Sequence, residues 1–213
     1  MSDRIEVVLG DITKVKYNAI VNAANKSLLS GGGVDGAIHK AAGSMLEDEC
    51  RTLEGCPVGE AKITRSYDLE RNSIGWVIHA VGPRWLGGLK EEEKLLESAY
   101  LNSLKLAVNY KEAYLNQCMN TLKRYTEGFE ENKKGQLIRE LKEDMEAYAK
   151  KHPIKNIAFP SISTGIYRFP LEAASRIAVS TINKFLSEHE EIEKVAVVCF
   201  DKVTYEHYDN QIR

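Results

Sequence analysis

Short runs of apolar or alternating residues recur along the chain, and polar or glycine-rich stretches separate them. A run of a few residues bounded by turn-forming residues is typical of a buried strand. We therefore predict six strands, at Ile5–Leu9, Ala19–Asn22, Ala61–Arg65, Trp76–Val81, Ile154–Phe159 and Val195–Phe200.

Between most of these runs, apolar residues lie three and four positions apart, which is the spacing of one face of a helix. Helices are predicted from Asp35 to a break or bend at Gly43, and then at Ser44–Leu53, from Lys90 to about Tyr125, at Pro170–Leu186 and at Val203–Gln211. Strands that alternate with helices predict an α/β fold whose mostly parallel or mixed sheet is covered on both faces.

Residues 110–152 differ in character, because they are highly charged and carry two separate apolar stripes. We interpret them as an inserted helical hairpin with a turn at Glu127–Gly135, whose stripes face each other or the domain. The favoured interpretation is an extension that packs on itself and is dispensable for the fold, and the alternative is a lid or partner surface. The stripes are Leu115, Cys118, Met119 and Leu122, and Leu137, Leu141, Met145 and Tyr148.

The 213 residues are enough for one sizeable domain, here taken as 1–213. A net charge of −2 argues against strong nonspecific binding of nucleic acid. The first residues form no apolar signal segment, and no apolar run approaches the length of a membrane span, so we expect a cytoplasmic protein with no membrane partner. The four cysteines and five histidines show no metal-ligand spacing, so we predict reduced thiols and no metal.

The stretch from Asn22 to Gly43 carries the strongest chemical signal. Three glycines, Gly31–Gly33, lead into a helical pattern whose first turn contains Asp35. Free N–H groups at a helix N-terminus bind anions, and the helix dipole favours an ionised carboxylate there. The alternative is that Asp35 only caps the helix and the glycines only form a turn. A match to G-x-G-x-x-G is set aside because it does not follow a strand directly.

Further polar groups are expected at the same edge of the sheet, because they follow other strands. Asp11 follows the first strand, the loop Ser161–Tyr167 follows the fifth, and Phe200-Asp201 end the sixth. Ligands of α/β proteins bind at strand carboxyl ends. Two glycine- and hydroxyl-containing loops can hold a diphosphate, an aromatic ring can stack on a base, and an acid can accept from its amine. Taken alone, Asp11 is equally a turn residue, and His79 is better interpreted as a core residue.

These motifs together resemble the macrodomains, and specifically the MacroD-type branch. The resemblance covers nearly the whole chain apart from the insertion, which typical members lack. It rests on Gly10–Thr13, Asn22–Asn25, Gly31–His39, His79–Pro83 and Phe159–Tyr167. It implies a three-layer α/β/α fold that binds ADP-ribose and needs no cofactor.

The resemblance also implies roles for individual residues. Asp11 would hold the adenine amine and Ile12 would contact the ring through its backbone. Asn25 would orient the distal ribose, and Asn22 counts among the ligand-binding residues. The diphosphate would lie between two loops and the adenine beside an aromatic ring, which adds Gly32, Gly33, Val34, Ser163, Thr164, Gly165, Ile166, Tyr167 and Phe200.

Catalysis is assigned by the same resemblance to Asp35, acting on the attacking water, together with Asn25. The helix dipole leads us to expect that Asp35 is ionised and only weakly basic. The implied activity is hydrolysis of ADP-ribose esters, on acidic side chains of proteins and in O-acetyl-ADP-ribose. The alternatives are a module that binds ADP-ribose without cleaving it, and a scaffold for RNA or poly(ADP-ribose).

The expected partners are ADP-ribose and ADP-ribosylated proteins, with no specific nucleic acid, and the expected state is a monomer. One position departs from the branch. Arg168 follows Tyr167 where glycine is usual, so a cation there would add a phosphate contact or narrow the mouth of the cleft.

Overall fold

The computed structural model describes residues 3–213, within which six strands form one mixed sheet. The strands are β1 (Ile5–Leu9), β2 (Ala19–Ala23), β3 (Ala61–Arg65), β4 (Trp76–Ala80), β5 (Asn156–Phe159) and β6 (Lys194–Cys199). Their order across the sheet is β1-β6-β5-β2-β4-β3. All neighbours are parallel except β3, which runs antiparallel to β4 at one edge. The mixed α/β sheet predicted from the sequence is thereby confirmed.

Helices cover both faces of the sheet. They are α1 (Gly33–Ala42), α2 (Ser44–Thr52), α3 (Glu92–Val108), α4 (Tyr110–Tyr125), α5 (Glu131–Lys151), α6 (Leu171–Glu188) and α7 (Lys202–Ile212). The predicted break at Gly43 is present, and this glycine adopts a φ of 83° between α1 and α2. The single helical pattern predicted from Lys90 to Tyr125 is instead two helices, because α3 ends at Val108 and α4 begins at Tyr110, with Asn109 between them. No helix in the part of the chain described is both long and apolar enough to cross a membrane.

The alternation of side chains along β2 shows how the two layers of the core form. Ala19 and Val21 belong to the layer beneath α3 and α6, whereas Ile20 belongs to the layer beneath α1 and α2. Because side chains alternate between the two faces of a strand, Asn22 shares the face of Ile20 and points toward α1. The same alternation places His79 of β4, which is opposite Asn22 in the register, on this face. A polar pair is thus built into the layer that α1 covers.

Helices α4 and α5 form the expected hairpin, but it packs on the domain and not only on itself. The rings of Tyr110, Tyr114 and Tyr148 contact the buried Trp76 ring of β4, at centroid distances of 5.5, 5.1 and 5.0 Å. Met145 is buried in the same core. Aromatic pairs of this geometry add to the burial of their apolar area. These residues complete the core at the base of the hairpin, which argues against the expectation that the hairpin is dispensable for the fold.

Polar contacts also fix the hairpin to β3. The Gln117 side chain accepts a hydrogen bond from the Ile63 N–H at 3.2 Å and donates one to the Ile63 carbonyl at 2.7 Å. The Arg65 guanidinium lies 4.4 Å from the Tyr148 ring centroid and pairs with Asp144 of α5. Both contacts join the insertion to the outermost strand of the sheet.

Candidate active site

A cleft of about 610 Å³ opens at the carboxyl ends of the parallel strands. Its volume lies within the range of small-molecule sites, and its position follows the general rule for α/β sheets. All predicted site residues line it except Asn22, namely Asp11, Ile12, Asn25, Gly32, Gly33, Val34, Asp35, Ser163, Thr164, Gly165, Ile166, Tyr167 and Phe200. The sheet order gives the cleft two ends. Asp11 and Phe200 follow β1 and β6 at one end, whereas Asn25 and Gly82 follow β2 and β4 at the other.

At the β1–β6 end, Asp11 is both a cap and a cleft residue. Its Oδ1 accepts hydrogen bonds from the Thr13 N–H at 2.9 Å and from Thr13 Oγ1 at 2.7 Å, and Lys14 Nζ lies 3.4 Å from Oδ2. Partial burial alone would raise the pKa of Asp11, but the bonds from Thr13 and Lys14 outweigh it and hold this pKa below its ordinary value. The ionised carboxylate remains accessible to a ligand. Phe200 beside it is 87% exposed, so one face of its ring is free to stack.

The glycine loop presents backbone groups to the middle of the cleft. Gly32 caps α1 without a side-chain hydrogen bond, and Gly33 adopts a φ of 63° that suits glycine. Close approach explains Gly36, because a Cβ there would lie 2.5 Å from the Gly31 carbonyl oxygen. The first turn of α1 lines the cleft, and the N–H groups at such a helix N-terminus would stabilise a bound anion.

The second loop faces the first across the cleft. Ser163 adopts a φ of 68°, and its buried Oγ has no hydrogen-bond partner among the described residues. Thr164 Oγ1 is held by the Ser161 carbonyl at 3.0 Å and by Ser161 Oγ at 2.8 Å. A Cβ at Gly32 would lie 3.3 Å from Ile166 Cδ1, which shows how closely the loops approach. Because the Ser163 hydroxyl is buried against Gly82, the loop offers a ligand the other groups that line the cleft, from Thr164 to Tyr167.

At the β2–β4 end, the Asp35 carboxylate is almost fully buried. Its Oδ1 accepts a hydrogen bond from Asn22 Nδ2 at 2.5 Å, and its Oδ2 accepts one from the Gly31 N–H at 2.6 Å. Burial raises the pKa of Asp35 above its ordinary value, although both donors and the nearby His39 act to lower it. The expectation of a weakly basic Asp35 is therefore wrong, because desolvation raises its pKa by more than Asn22, His39 and the Gly31 N–H lower it.

Asn22 does not line the cleft, so the structure corrects its assignment as a ligand contact. Its side chain is fully buried behind Asp35, and the same Nδ2 that bonds Asp35 lies 3.2 Å from His79 Nδ1. Burial lowers the pKa of His79 to about 3, so this histidine is neutral at pH 7. Because its Nδ1 accepts from Asn22, its Nε2 carries the proton toward Thr64 Oγ1 at 2.9 Å. Asn22 and His79 therefore fix the orientation of Asp35.

Asn25 lies at the same end and shapes the loop beside Asp35. Its Nδ2 donates to the Leu29 carbonyl at 2.6 Å, and its Oδ1 accepts from the Ser27 N–H at 2.9 Å. A Cβ at Gly31 would approach Asp35 Oδ2 to 2.9 Å and Asn25 Nδ2 to 3.3 Å, so the two side chains flank one glycine. The structure thus brings the two residues predicted to be catalytic together, around a backbone without a side chain.

One group of buried side chains near Asp35 has the composition of a metal site. Ligand atoms of His39, Cys50 and His79 lie within 4.8 Å of one another. The nitrogens of His79 are already engaged by Asn22 and Thr64, and Cys50 Sγ is 3.6 Å from His79 Nε2. Sequence spacing gave no sign of this group, since its members come from α1, α2 and β4. Its contacts belong to the polar network that positions Asp35.

Gly82 completes the cleft wall, a role that its sequence motif alone does not indicate. Gly82 follows β4, and a Cβ there would lie 2.2 Å from Ser163 Oγ and 2.5 Å from Ile162 Cγ2. Its position directly after an apolar strand and before Pro83 was the available signal. The close approach means that the second loop rests directly on the backbone at the end of β4.

Comparison with known sequences identifies the family. The family model described as the Macro domain matches residues 21–118 and 115–178. A Macro domain-containing protein of Methanosarcina mazei is 46% identical over 200 residues, covering 94% of this chain and 83% of its own. The chain therefore belongs to the macrodomain family, as its motifs predict. An O-acetyl-ADP-ribose deacetylase of Escherichia coli is 41% identical over 206 residues, covering 95% of this chain and 91% of its own.

Solved structures agree with the fold. The Oceanobacillus iheyensis macrodomain with ADP has a TM-score of 0.72 and 36% identity, covering 98% of this chain and 89% of its own. The Trypanosoma brucei macrodomain in complex with ADP-ribose has a TM-score of 0.69 and 31% identity, covering 99% of this chain and 69% of its own. The three-layer α/β/α architecture expected from the sequence is confirmed.

Proposed function

We propose that this macrodomain binds ADP-ribose in the cleft and hydrolyses its esters. The substrates are O-acetyl-ADP-ribose and mono-ADP-ribosyl groups on acidic side chains of proteins. The deacetylase relative supports the first substrate, and the structures of relatives with ADP and ADP-ribose support the ligand. The expectations of a monomer in the cytoplasm without a specific nucleic-acid partner remain predictions.

The observation that carries the proposal is a buried carboxylate of raised pKa at one end of a cleft of about 610 Å³. Asp35 is held by Asn22 and by the Gly31 N–H, so its orientation is set before the substrate binds. A carboxylate whose pKa is closer to neutrality is a better proton acceptor at neutral pH. Burial destabilises the charged form of a carboxylate, so a carboxylate that transfers no proton is better placed in water. The buried position of Asp35 in a cleft therefore favours a catalytic role.

The arrangement of residues in the cleft supports one direction for the bound ligand. The adenine stacks on Phe200 with its amine on Asp11, and the diphosphate lies between the α1 N-terminus and the second loop. The distal ribose then reaches the β2–β4 end, beside Asn25 and Asp35. Asp35 accepts a proton from water as the water attacks the ester. For the acetyl ester, the water oxygen bonds to the acyl carbon and the bond from that carbon to the ribose oxygen breaks. The proton that Asp35 took from water passes to the ribose oxygen, so that acetic acid and ADP-ribose are released and Asp35 is ionised again.

The test uses the purified protein and two substrates. Acetate release from O-acetyl-ADP-ribose and loss of label from a glutamate-ADP-ribosylated protein are both expected, at rates that exceed those without protein. If the protein binds ADP-ribose yet releases neither product, the non-catalytic binding module replaces the hydrolase. If it releases acetate alone, the activity on modified proteins is rejected and the ester hydrolase remains.

A further inference from the structure

A basic rim borders the cleft at its β2–β4 end, and we define it as Arg84, Leu86, Leu89, Lys90 and Arg168. We propose that the basic rim binds the protein that carries the ADP-ribose, by contacting acidic residues next to the modified side chain. The proposal rests on the proposed function and names the class of protein substrate.

The position follows from the sheet order. The adenine end lies over β1 and β6, so the ester and any attached protein lie at the opposite end, over β2 and β4. The chain leaving β4 passes through Gly82 of the cleft wall and reaches Arg84 two residues later. The Arg84 guanidinium carbon lies 5.6 Å from the ring centroid of Tyr167, a cleft residue. The rim therefore begins where a bound ADP-ribose ends.

Residues 84–90 of the basic rim form a loop. Trp85 holds this loop against the second cleft loop, and Glu92 fixes its backbone. The Trp85 N–H donates to the Tyr167 carbonyl at 2.9 Å, and the Trp85 ring lies 4.8 Å from that of buried Phe169. The buried Glu92 carboxylate accepts from the N–H groups of Leu86 at 2.9 Å, Gly88 at 3.3 Å and Lys90 at 2.6 Å. A loop fixed in this way loses little conformational entropy when a partner binds.

The charges of the rim are open to a partner. Among the described residues, no carboxylate lies within ion-pair distance of Arg84, Lys90 or Arg168. The neighbouring acids are engaged elsewhere, since Glu91 pairs with Lys94 at 2.6 Å and Glu93 with Arg176 at 3.7 Å. Unpaired arginines beside a binding site favour carboxylate-rich partners.

Two further features of the rim fit a peptide better than a small molecule. Leu89 is 89% exposed and Leu86 is also exposed, so apolar contact area accompanies the cations. Arg168 adopts a φ of 55°, a conformation that glycine takes more easily than arginine. The Arg168 N–H is held by the Gly165 carbonyl at 3.0 Å, within the turn that forms the second cleft loop. An exposed arginine in this conformation projects its charge from the edge of the site.

Binding of synthetic peptides tests the proposal without requiring turnover. The peptides carry ADP-ribose on one glutamate and have acidic, neutral or basic flanking residues. They are measured with Asp35→Ala protein so that they stay intact, and free ADP-ribose is the reference. We expect the acidic peptide to bind about ten-fold more tightly than free ADP-ribose, with an advantage that falls as salt is raised.

Charge reversal of the rim should remove this advantage. The double variant Arg84→Glu, Arg168→Glu is expected to lose about ten-fold more affinity for the acidic peptide than for free ADP-ribose, whose diphosphate experiences the same change of charge. Lys142→Glu, which makes the same kind of charge change on exposed α5, is the matched control and should leave both affinities unchanged. A second variant, Arg84→Gln, Arg168→Gly, relieves the φ at position 168 and should show a smaller loss of the same kind.

Several outcomes would overturn the proposal. Equal losses for peptide and free ADP-ribose would mean that the arginines serve ADP-ribose itself. Acidic and neutral peptides that bind alike would remove the charge recognition, and a loss confined to poly(ADP-ribose) would assign the rim to a nucleotide polymer. These results are separate from the proposed function. If the protein cleaves both esters but binds all peptides alike, the hydrolase function stands and the proposed role of the basic rim is rejected.

Discussion

Two aspartates at the two ends of one cleft show how differently the same side chain can be used. Asp11 and Asp35 each lie at the start of a helical turn, next to backbone N–H groups. The Asp11 side chain is 36% exposed and hydrogen-bonded to its own turn, and its pKa is lowered. The Asp35 side chain is 5% exposed and its pKa is raised.

The difference lies in what surrounds each carboxylate. Hydrogen bonds from Thr13 and the charge of Lys14 stabilise the Asp11 carboxylate in a partly exposed position. At the other end, Asn22 and Gly31 donate to Asp35 and His39 lies nearby, but burial outweighs them. An exposed ionised acid suits recognition, because it accepts a hydrogen bond and need not change its protonation. A desolvated acid suits proton transfer. The comparison predicts that rate and affinity can be altered separately.

The largest expected effect comes from Asp35→Ala. It removes the proton acceptor but leaves the adenine and phosphate contacts, so hydrolysis of O-acetyl-ADP-ribose should slow by about 10²–10⁴-fold. Affinity for ADP-ribose should stay within a few-fold of wild type, as measured by calorimetry. Asn25→Ala should lose activity too, with somewhat weaker binding. A variant at Asp35 that turns over normally would refute the mechanism.

In the wild-type protein, lowering the pH should reduce the rate of hydrolysis before it reduces the affinity for ADP-ribose. Asp35 accepts a proton only when ionised, so the rate falls as pH drops through its raised pKa, by about ten-fold per unit below it. The lowered pKa of Asp11 keeps that carboxylate ionised to more acidic pH, so ADP-ribose affinity should persist where the rate has already fallen. Parallel pH profiles of initial rate and of affinity measure this. Coincident profiles would show that one group controls both.

Asp11→Ala should have the converse effect. Losing the acceptor for the adenine amine is expected to weaken ADP-ribose binding by about 1–3 kcal/mol. At saturating substrate the rate should be unchanged, since Asp11 lies at the far end of the cleft from Asp35. Asp11→Asn keeps an acceptor oxygen and should recover part of the affinity. A fall in the saturated rate would contradict the division between the two ends.

The smallest expected effect is that of Phe200→Ala. The lost stacking on adenine should cost about 1 kcal/mol of binding free energy, which is about five-fold in affinity. Because the ring is 87% exposed, the melting temperature should change little. Phe200→Tyr keeps a stacking ring and serves as the control. An unchanged affinity for Phe200→Ala would show that the adenine does not lie on this ring.

The sequence predicts most of the fold and the content of the cleft, because both depend on local pattern. The run Ile5–Leu9 and the glycines before Asp35 carry their signals within a few residues. The sequence does not predict the raised pKa of Asp35, since that depends on its burial against Asn22 and His79, which come from two separate strands. The packing of the hairpin base on the sheet is not predictable from the sequence for the same reason, because its tyrosines contact Trp76 only in the folded chain.

The Gln117 side chain affects whether two copies of this chain can pair through the edge of the sheet. β3 is the last strand on its side of the sheet, and a strand in that position offers free backbone groups to any extended chain nearby. By bonding both the N–H and the carbonyl of Ile63, Gln117 occupies the place that a neighbouring strand would take. The inserted hairpin thus closes the sheet on this side and protects the protein against strand-to-strand aggregation.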